Sequence, residues 1–344
     1  MGFENDTADH ERKIREAAKE SGLEYLSNSS KVKIDIKLRG SFKNGITDKK
    51  RHPRVIVSLT SFPERMNDIH YCLYSLLQQR FKPDLLVLWL ASEQFPNKEK
   101  DLPASVLSLK KHGLTINWCS DLKSYKKLVP SLNEYPNDIL VTADDDIYYP
   151  ENWLKLLYDS YRKELNCIHA HRAHRIKFEL DGSLAKYRQW PKMIPAGEPS
   201  FLNFMTSGGG ALFPPNSLYK DSCDKKIFTQ LCPTGDDIWF WAMAVLQGTK
   251  IKVIKNNIDE IMIVNPGRAL RLNNEFTLWK INELENDKQI NNILNYYKEI
   301  KEIIRFNPAE YQGRRSFVKG NEVVDRGNIL TRLRKIFQFS NFFR

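Results

Sequence analysis

Residues 139 to 154 read ILVTADDDIYYPENWL, three consecutive aspartates closing an apolar run, and their placement decides how the chain folds around them. Ile139, Leu140, Val141 and Ala143 have the pattern of a short buried strand. Pro150 with Trp153, Leu156, Leu157 and Tyr161 predicts a helix that opens with proline in its first turn. Asp144, Asp145 and Asp146 then lie just past a strand's carboxyl end, the edge of an open α/β sheet where ligands bind. Adjacent carboxylates repel one another and are costly to bury unpaired, so they need water, arginines or a hard cation. A solvated acidic loop is the plain alternative, and the apolar strand before and aromatic helix after count against it.

Upstream, the pattern is regular from Arg54: a strand RVIVSLT, a helix with Ile69, Cys72, Leu73, Leu76 and Leu77 on one face, a strand LLVLWL and, after Gly113, a strand LTINWC. Alternation of this kind predicts βαβ units and a mostly parallel sheet. Downstream, RIKFELDGSLAKY reads as a β-hairpin around Asp181 and Gly182. Residues 1 to 53 are polar, with a helix expected over 8 to 21, and look like an extension or a partner-facing arm. Residues 54 to 275 form the α/β domain, and 276 to 344 a helical region ending in a basic tail. There are no internal repeats.

The bulk properties set limits. A chain of 344 residues that is 41% hydrophobic can bury one large core plus extensions, and a mean hydropathy of −0.51 fits a soluble protein. No apolar run approaches the ~20 residues of a membrane span, and MGFENDTADHERKIREAAKE lacks a signal peptide's apolar region, so a cytoplasmic protein is expected. The five cysteines form no CxxC pair, which argues against a disulfide framework or a zinc ribbon. Of the net charge of +11, residues 311 to 344 carry +6. Ile329, Leu330, Leu333, Ile336 and Phe337 fall on one helical stripe there, which suits a helix lying on an anionic membrane surface, or one docked on its own domain.

Four further stretches can carry chemistry. SLTSFPERM leaves the first strand with the Thr60 and Ser61 hydroxyls and the Arg65 guanidinium, a turn able to hold a nucleotide or diphosphate. It contains neither a dinucleotide nor a P-loop glycine pattern. Lys126 and Lys127 precede the aspartate strand and could neutralise phosphate, or form a solvated helix face. His169, His171 and His174 match no common closed zinc site, and Arg172 and Arg175 among them would repel a cation but suit an anionic substrate or plain packing. Finally, Gly208, Gly209 and Gly210 allow a backbone to pass close to a ligand, and Asp236 with Asp237 opens a strongly apolar helix. One acid there is an ordinary cap; two exceed what capping requires. Two carboxylate sets suggest that one holds metal and the other moves a proton.

The order SLTSFPER, VTADDDIYYP, a glycine-rich loop and GDDIWFW resembles the glycosyltransferases of GT-A fold, above all the bacterial enzymes encoded with capsule, lipopolysaccharide or exopolysaccharide clusters. The likeness covers roughly residues 54 to 275. It implies a Rossmann-like α/β fold, with a mostly parallel central sheet flanked by helices and helical N- and C-terminal extensions. It further implies a nucleotide-sugar donor, a UDP-sugar for preference, and a glycan or lipid-linked acceptor in surface polysaccharide synthesis. A hexosyltransferase of inverting type and a Mn2+ or Mg2+ cofactor complete the expectation. By that resemblance Asp144 and Asp146 hold the metal, with Asp144 approaching the ribose. Thr60, Ser61, Arg65, Lys126, Lys127, Asp145 and Arg268 line the donor site, and Gly208 to Gly210 form the acceptor loop. Asp237 is the base, expected to be ionised at neutral pH beside a helix N-terminus, and Asp236 orients the acceptor. Many such enzymes supply a late histidine to the metal; this chain has none after His174. A nucleotidyltransferase would also cluster aspartates around Mg2+, but with glycine in the loop after the first strand, which SLTSFPER lacks. A non-catalytic binding protein, on nucleic acid for instance, would interleave aromatics with basic residues, and that pattern is missing.

Overall fold

The computed structural model of the chain describes Glu16 and residues 24–40, 42–255, 261–267 and 278–305, with the backbone alone over 278–284. The helix expected over 8 to 21, Arg268 and the basic tail lie outside the described residues, Glu16 apart.

A seven-stranded sheet organises the chain. In space its order is β10 (Lys250–Val253), β6 (Cys167–Ala170), β9 (Ala211–Phe213), β4 (Ile139–Thr142), β1 (Val55–Thr60), β2 (Leu85–Ala91) and β3 (Leu114–Cys119). Every neighbouring pair is parallel except the two made by β9, so six strands point one way and β9 the other. Strand β1 lies inside the sheet between β4 and β2, and Val55 to Leu59 are at most 1% exposed, which is why its sequence is a nearly unbroken apolar run rather than an alternation. Alternate side chains serve opposite layers. Ile56 joins β4, α7 (Asp236–Gln247), α8 (Leu278–Tyr296) and α9 (Glu299–Arg305) on one face. Val55, Val57 and Leu59 pack with α2 (Ile69–Leu77) and α5 (Trp153–Tyr161) on the other. The result is a mixed α/β architecture, a mostly parallel sheet flanked by helices, as the sequence predicts.

Some expectations shift in detail. Helix α5 begins at Trp153 with Asn152 as its N-cap, so Pro150 precedes the helix and its carbonyl accepts from the Trp153 amide at 3.0 Å. The hairpin expected around Asp181 and Gly182 is short: Phe178 and Leu184 form an antiparallel bridge, flanked by the Glu179 amide on the Ser183 carbonyl and the Ala185 amide on the Lys177 carbonyl, both at 2.9 Å. Residues 24–40 and 42–53, read as part of an extension or partner-facing arm, are packed on the domain. Leu26 and Ile34, the latter on α1 (Asn28–Arg39), are buried in the core, and Tyr25 bridges Ile263. No helix among the described residues is long and apolar enough to cross a membrane.

The chain leaves β1 toward β2 on one side, while β4 leads on to β6 on the other. The crevice between the carboxyl ends of β1 and β4 is therefore a topological switch point, where sheets of this kind bind ligands.

Candidate active site

The three aspartates follow β4 at that switch point, and the turn after β1 meets them. Ser61 Oγ donates to Asp145, and Arg65, in the 3-10 turn Pro63–Arg65, donates to the other oxygen of the same carboxylate. The same Arg65 Nη1 lies 3.0 Å from Asp146 Oδ2. Asp145 is buried. Its burial, with Asp146 and Asp144 alongside, raises its carboxyl to about 6 against the pull of Arg65 and Ser61. Asp146 is the open member of the set, its side chain 41% exposed. Its backbone carbonyl is fixed by the Val264 amide at 2.8 Å, and β5 (Ile147–Tyr148) pairs with β11 (Met262–Ile263) next to it.

Asp144 belongs to a different network. Its amide donates to the Tyr149 hydroxyl at 2.8 Å, and its carboxylate accepts from Lys127 Nζ at 2.8 Å. Burial disfavours its ionisation, but the charges of Lys127, Arg65 and Arg172 prevail and hold it below the ordinary aspartate range. Lys127 ends the 3-10 turn Lys123–Lys127 and is 6% exposed. It also reaches Ser207 Oγ at 2.9 Å and Asp236 Oδ2 at 3.1 Å. One buried ammonium thus joins the two acidic sets, 127, 144 and 236 being far apart in sequence. Burial opposes its charge, yet Asp144, Asp236 and Asp237 keep its pKa well above that of an ordinary lysine.

The second set opens α7. Asp236 is buried against Lys127, and Asp237 accepts the Ser207 amide on both oxygens at 3.2 Å. The helix N-terminus that favours an ionised Asp237 is not the only influence on it. Burial and the neighbouring Asp236 charge raise it to about 7, outweighing Lys127 and the Ser207 amide. A group poised there can take and return a proton at physiological pH. Neither acid caps the helix through its side chain, because the N-cap is Gly235.

The glycines lie against protein. A Cβ on Gly210 would come within 2.4 Å of the Trp153 ring, and one on Gly209 within 2.8 Å of Arg172 Cβ. On Gly208 it would lie 2.4 Å from an Arg172 guanidinium nitrogen and 3.6 Å from Asp144 Oδ2. Arg172, steadied by Nε donating to Thr206 Oγ1 at 2.7 Å, therefore rests on Gly208 at the edge of the aspartates.

Two predicted donor residues are engaged elsewhere. The Thr60 hydroxyl donates to the Trp89 carbonyl at 2.8 Å, stitching β1 to β2. Lys126 pairs with Asp121 at 2.7 Å, not with the aspartates. Sequence reasoning missed Ser207, which touches Asp144, Lys127 and Asp237; its place directly before the three glycines was the available signal. Of the three histidines, His169 bonds Ser160 and the Glu164 carbonyl, His171 the Trp153 carbonyl, and His174 the Met193 amide, so each helps to pack the layer beside the sheet.

Five carboxylates face three cations, Lys127, Arg65 and Arg172, a formal excess of two negative charges. A diphosphate would be repelled unless a divalent cation came with it. Among the described residues no group of three His, Cys, Asp or Glu side chains is arranged to hold a metal. The exposed Asp146 carboxylate, with Asp144 two residues before it in the chain, suits a hard cation of the kind bound through one or two carboxylates, substrate phosphates and water.

No protein-family model matches the chain, and no curated protein sequence matches it. Among solved structures it is similar to TarS of S. aureus, at 14% identity and a TM-score of 0.40 over 76% of this chain and 75% of that one. It is similar also to the mannosyltransferase PcManGT from Pyrobaculum calidifontis, solved with GDP-Man and Mn2+, at 13% identity and a TM-score of 0.42 over 90% and 86%. A third is CMP:2-keto-3-deoxy-manno-octonic acid synthetase complexed with CTP, at 9% identity and a TM-score of 0.36 over 64% and 95%.

Proposed function

We propose that this chain is a divalent-metal-dependent glycosyltransferase of GT-A type. It moves a sugar, with inversion, from a nucleotide diphosphate sugar to a hydroxyl of a glycan or lipid-linked acceptor. The observation that carries the reading is the meeting of two acidic sets at the sheet's switch point with Lys127 between them. One set is paired with cations and open to solvent at Asp146, while the other contains a carboxylate poised near neutrality. Leaving-group stabilisation and proton removal require those two environments.

In this reading Asp146 and Asp144 hold Mn2+ or Mg2+, which when bound supplies Lewis-acid stabilisation of the departing diphosphate. Arg65 keeps Asp145 and Asp146 in register, Arg172 faces the diphosphate from the Gly208 shelf, and Lys127 holds Asp144 and Asp236 at a fixed separation. Asp237, on the other acidic set, takes the proton of the acceptor hydroxyl. Asp236 orients that hydroxyl, and Ser207 holds the Asp237 carboxylate through its amide. A UDP donor, a hexose as the group moved, a role in capsule, lipopolysaccharide or exopolysaccharide synthesis, and docking on the inner membrane face through the basic tail extend the same proposal from the sequence resemblance.

Incubation with a panel of UDP-, GDP- and CDP-sugars plus Mn2+, and in a parallel set with nucleoside triphosphates and sugar phosphates, tests it. Release of nucleoside diphosphate supports transfer. Pyrophosphate release from a nucleoside triphosphate and a sugar phosphate would show a nucleotidyltransferase instead, and neither product would leave a binding protein.

A further inference from the structure

Helix α7 starts under an unusual constraint. Its N-cap is Gly235, where a Cβ would come within 2.8 Å of Ile238 Cδ1 and 3.1 Å of Cys232 Sγ. The N-cap glycine brings no capping side chain, and any side chain there would first have to displace the end of Ile238. The amides leading into the helix are satisfied from far along the chain. Gln289, on α8 and 1% exposed, accepts the Thr234 amide at 3.0 Å and the Gly235 amide at 3.1 Å on one oxygen. Its Nε2 donates to Thr234 Oγ1 at 3.0 Å. Three residues on, Asn292 Nδ2 donates to the Leu231 carbonyl at 3.2 Å, and from the opposite side the Tyr125 hydroxyl donates to the Cys232 carbonyl. The loop 231–235 is clamped between α8 and the turn that carries Lys127.

We propose that Gln289 is a positioning residue for the transfer step, ordering the loop so that the Asp237 carboxylate is presented to the acceptor hydroxyl. This rests on the proposed function above. Gln289 acts only through the loop, because its amide is spent on Thr234 and Gly235 and it touches neither acid. A buried amide with both ends used is a stiff support, and a displacement of about 1 Å at a reacting group can cost ~100-fold in rate.

The test uses the full chain and three variants. In Gln289→Leu, which keeps the volume and removes both polar ends, hydrogen exchange at the Thr234 and Gly235 amides should quicken. With the nucleotide sugar identified by the panel, kcat should fall ~10-fold or more while the donor KM stays within about twofold. Gln289→Glu keeps the acceptor oxygen and should return most of the lost kcat. A merely structural role would lower thermal stability without separating kcat from KM. Should the leucine variant fail to fold, Gln289→Ala, which admits water to the amides, carries the same kinetic test. Normal kcat in a folded variant whose amides have been released overturns the proposal, as does unchanged amide exchange. If the panel yields no active sugar, it is the proposed function that has failed, and amide exchange still decides whether Gln289 orders the loop.

Discussion

The two acidic sets are built from the same residue type and share a lysine, yet Asp144 of the first and Asp237 of the second are shifted in opposite directions. Asp144 is held below the ordinary aspartate range by Lys127 and the arginines. Asp237, whose burial is joined by the charge of Asp236, rises to about 7. The difference teaches that the role of a carboxylate is set by what surrounds it: cations beside Asp144 fix its negative charge, and burial of Asp237 next to Asp236 makes a proton exchangeable.

Removing the shared ion should break that contrast most completely. Lys127→Ala leaves half-buried Asp144 and buried Asp236 without their cation, so transfer should fall by ~1,000-fold or more and urea unfolding should show a loss of about 3 kcal/mol. A stable, active alanine variant would mean that the two sets are independent. The next largest effect belongs to Asp237→Asn: transfer should drop at least ~100-fold with nucleotide-sugar binding retained. In the parent enzyme kcat should fall as pH is lowered through about 7, as Asp237 takes up its proton, and that limb should vanish in the variant. The stability sign is opposite to that of a helix cap. Because the folded carboxyl is raised, the folded state binds more protons than the unfolded one between pH ~4 and about 7, and the native residue loses stability as pH rises through that window. The asparagine variant should therefore gain Tm relative to the parent at pH 8, and gain less at pH 5. Loss of Tm at both values would return Asp237 to a capping role.

Asp146→Ala sharpens the other side. The carboxylate is exposed and outside the core, so the fold should persist while affinity for nucleotide sugar with Mn2+ weakens ~10–100-fold in calorimetry. Retained metal-dependent affinity would remove Asp146 from the metal. The smallest effect on chemistry is expected far from both sets. Deleting residues 327 to 344 should release the chain from anionic vesicles at low salt and leave transfer to a soluble acceptor unchanged. Undiminished vesicle binding would refute the anchor.

Much of this was legible in the sequence because it is local. The apolar runs of β1, β2 and β4, the aspartates just after β4, and the acidic start of α7 are each written in fewer than ten consecutive residues. What could not be read there depends on distance along the chain. Nothing near Lys127 announces that its ammonium lies between Asp144 and Asp236, or separates it from Lys126, which turns to Asp121. The Thr60 hydroxyl, plausible for a ligand by position, is taken by the neighbouring strand. The upward shift of Asp237 is hidden for the same reason: the helix N-terminus is visible in sequence, whereas the burial and the Asp236 charge that raise its carboxyl depend on the packed fold. Strand β9 has only three residues, too few for its direction to be evident.

That reversed direction bears on which parts of the chain can change length. Because β9 runs against its neighbours, the segment before it, residues 207 to 210, stands at the ligand edge, and the segment after Phe213 emerges at the far edge, where Phe213 pairs with Leu140 at the start of β4. An extra residue before β9 would slip Ser207 away from Asp144, Lys127 and Asp237 together, and so would be selected against however well the sheet tolerated it. Extra residues directly after Phe213 would enlarge the opposite rim of the protein and leave the acids where they are. A single inverted strand thus divides the chain around it into a stretch of fixed length and one open to insertion, and domain fusions or affinity tags placed within the chain should be carried by the second.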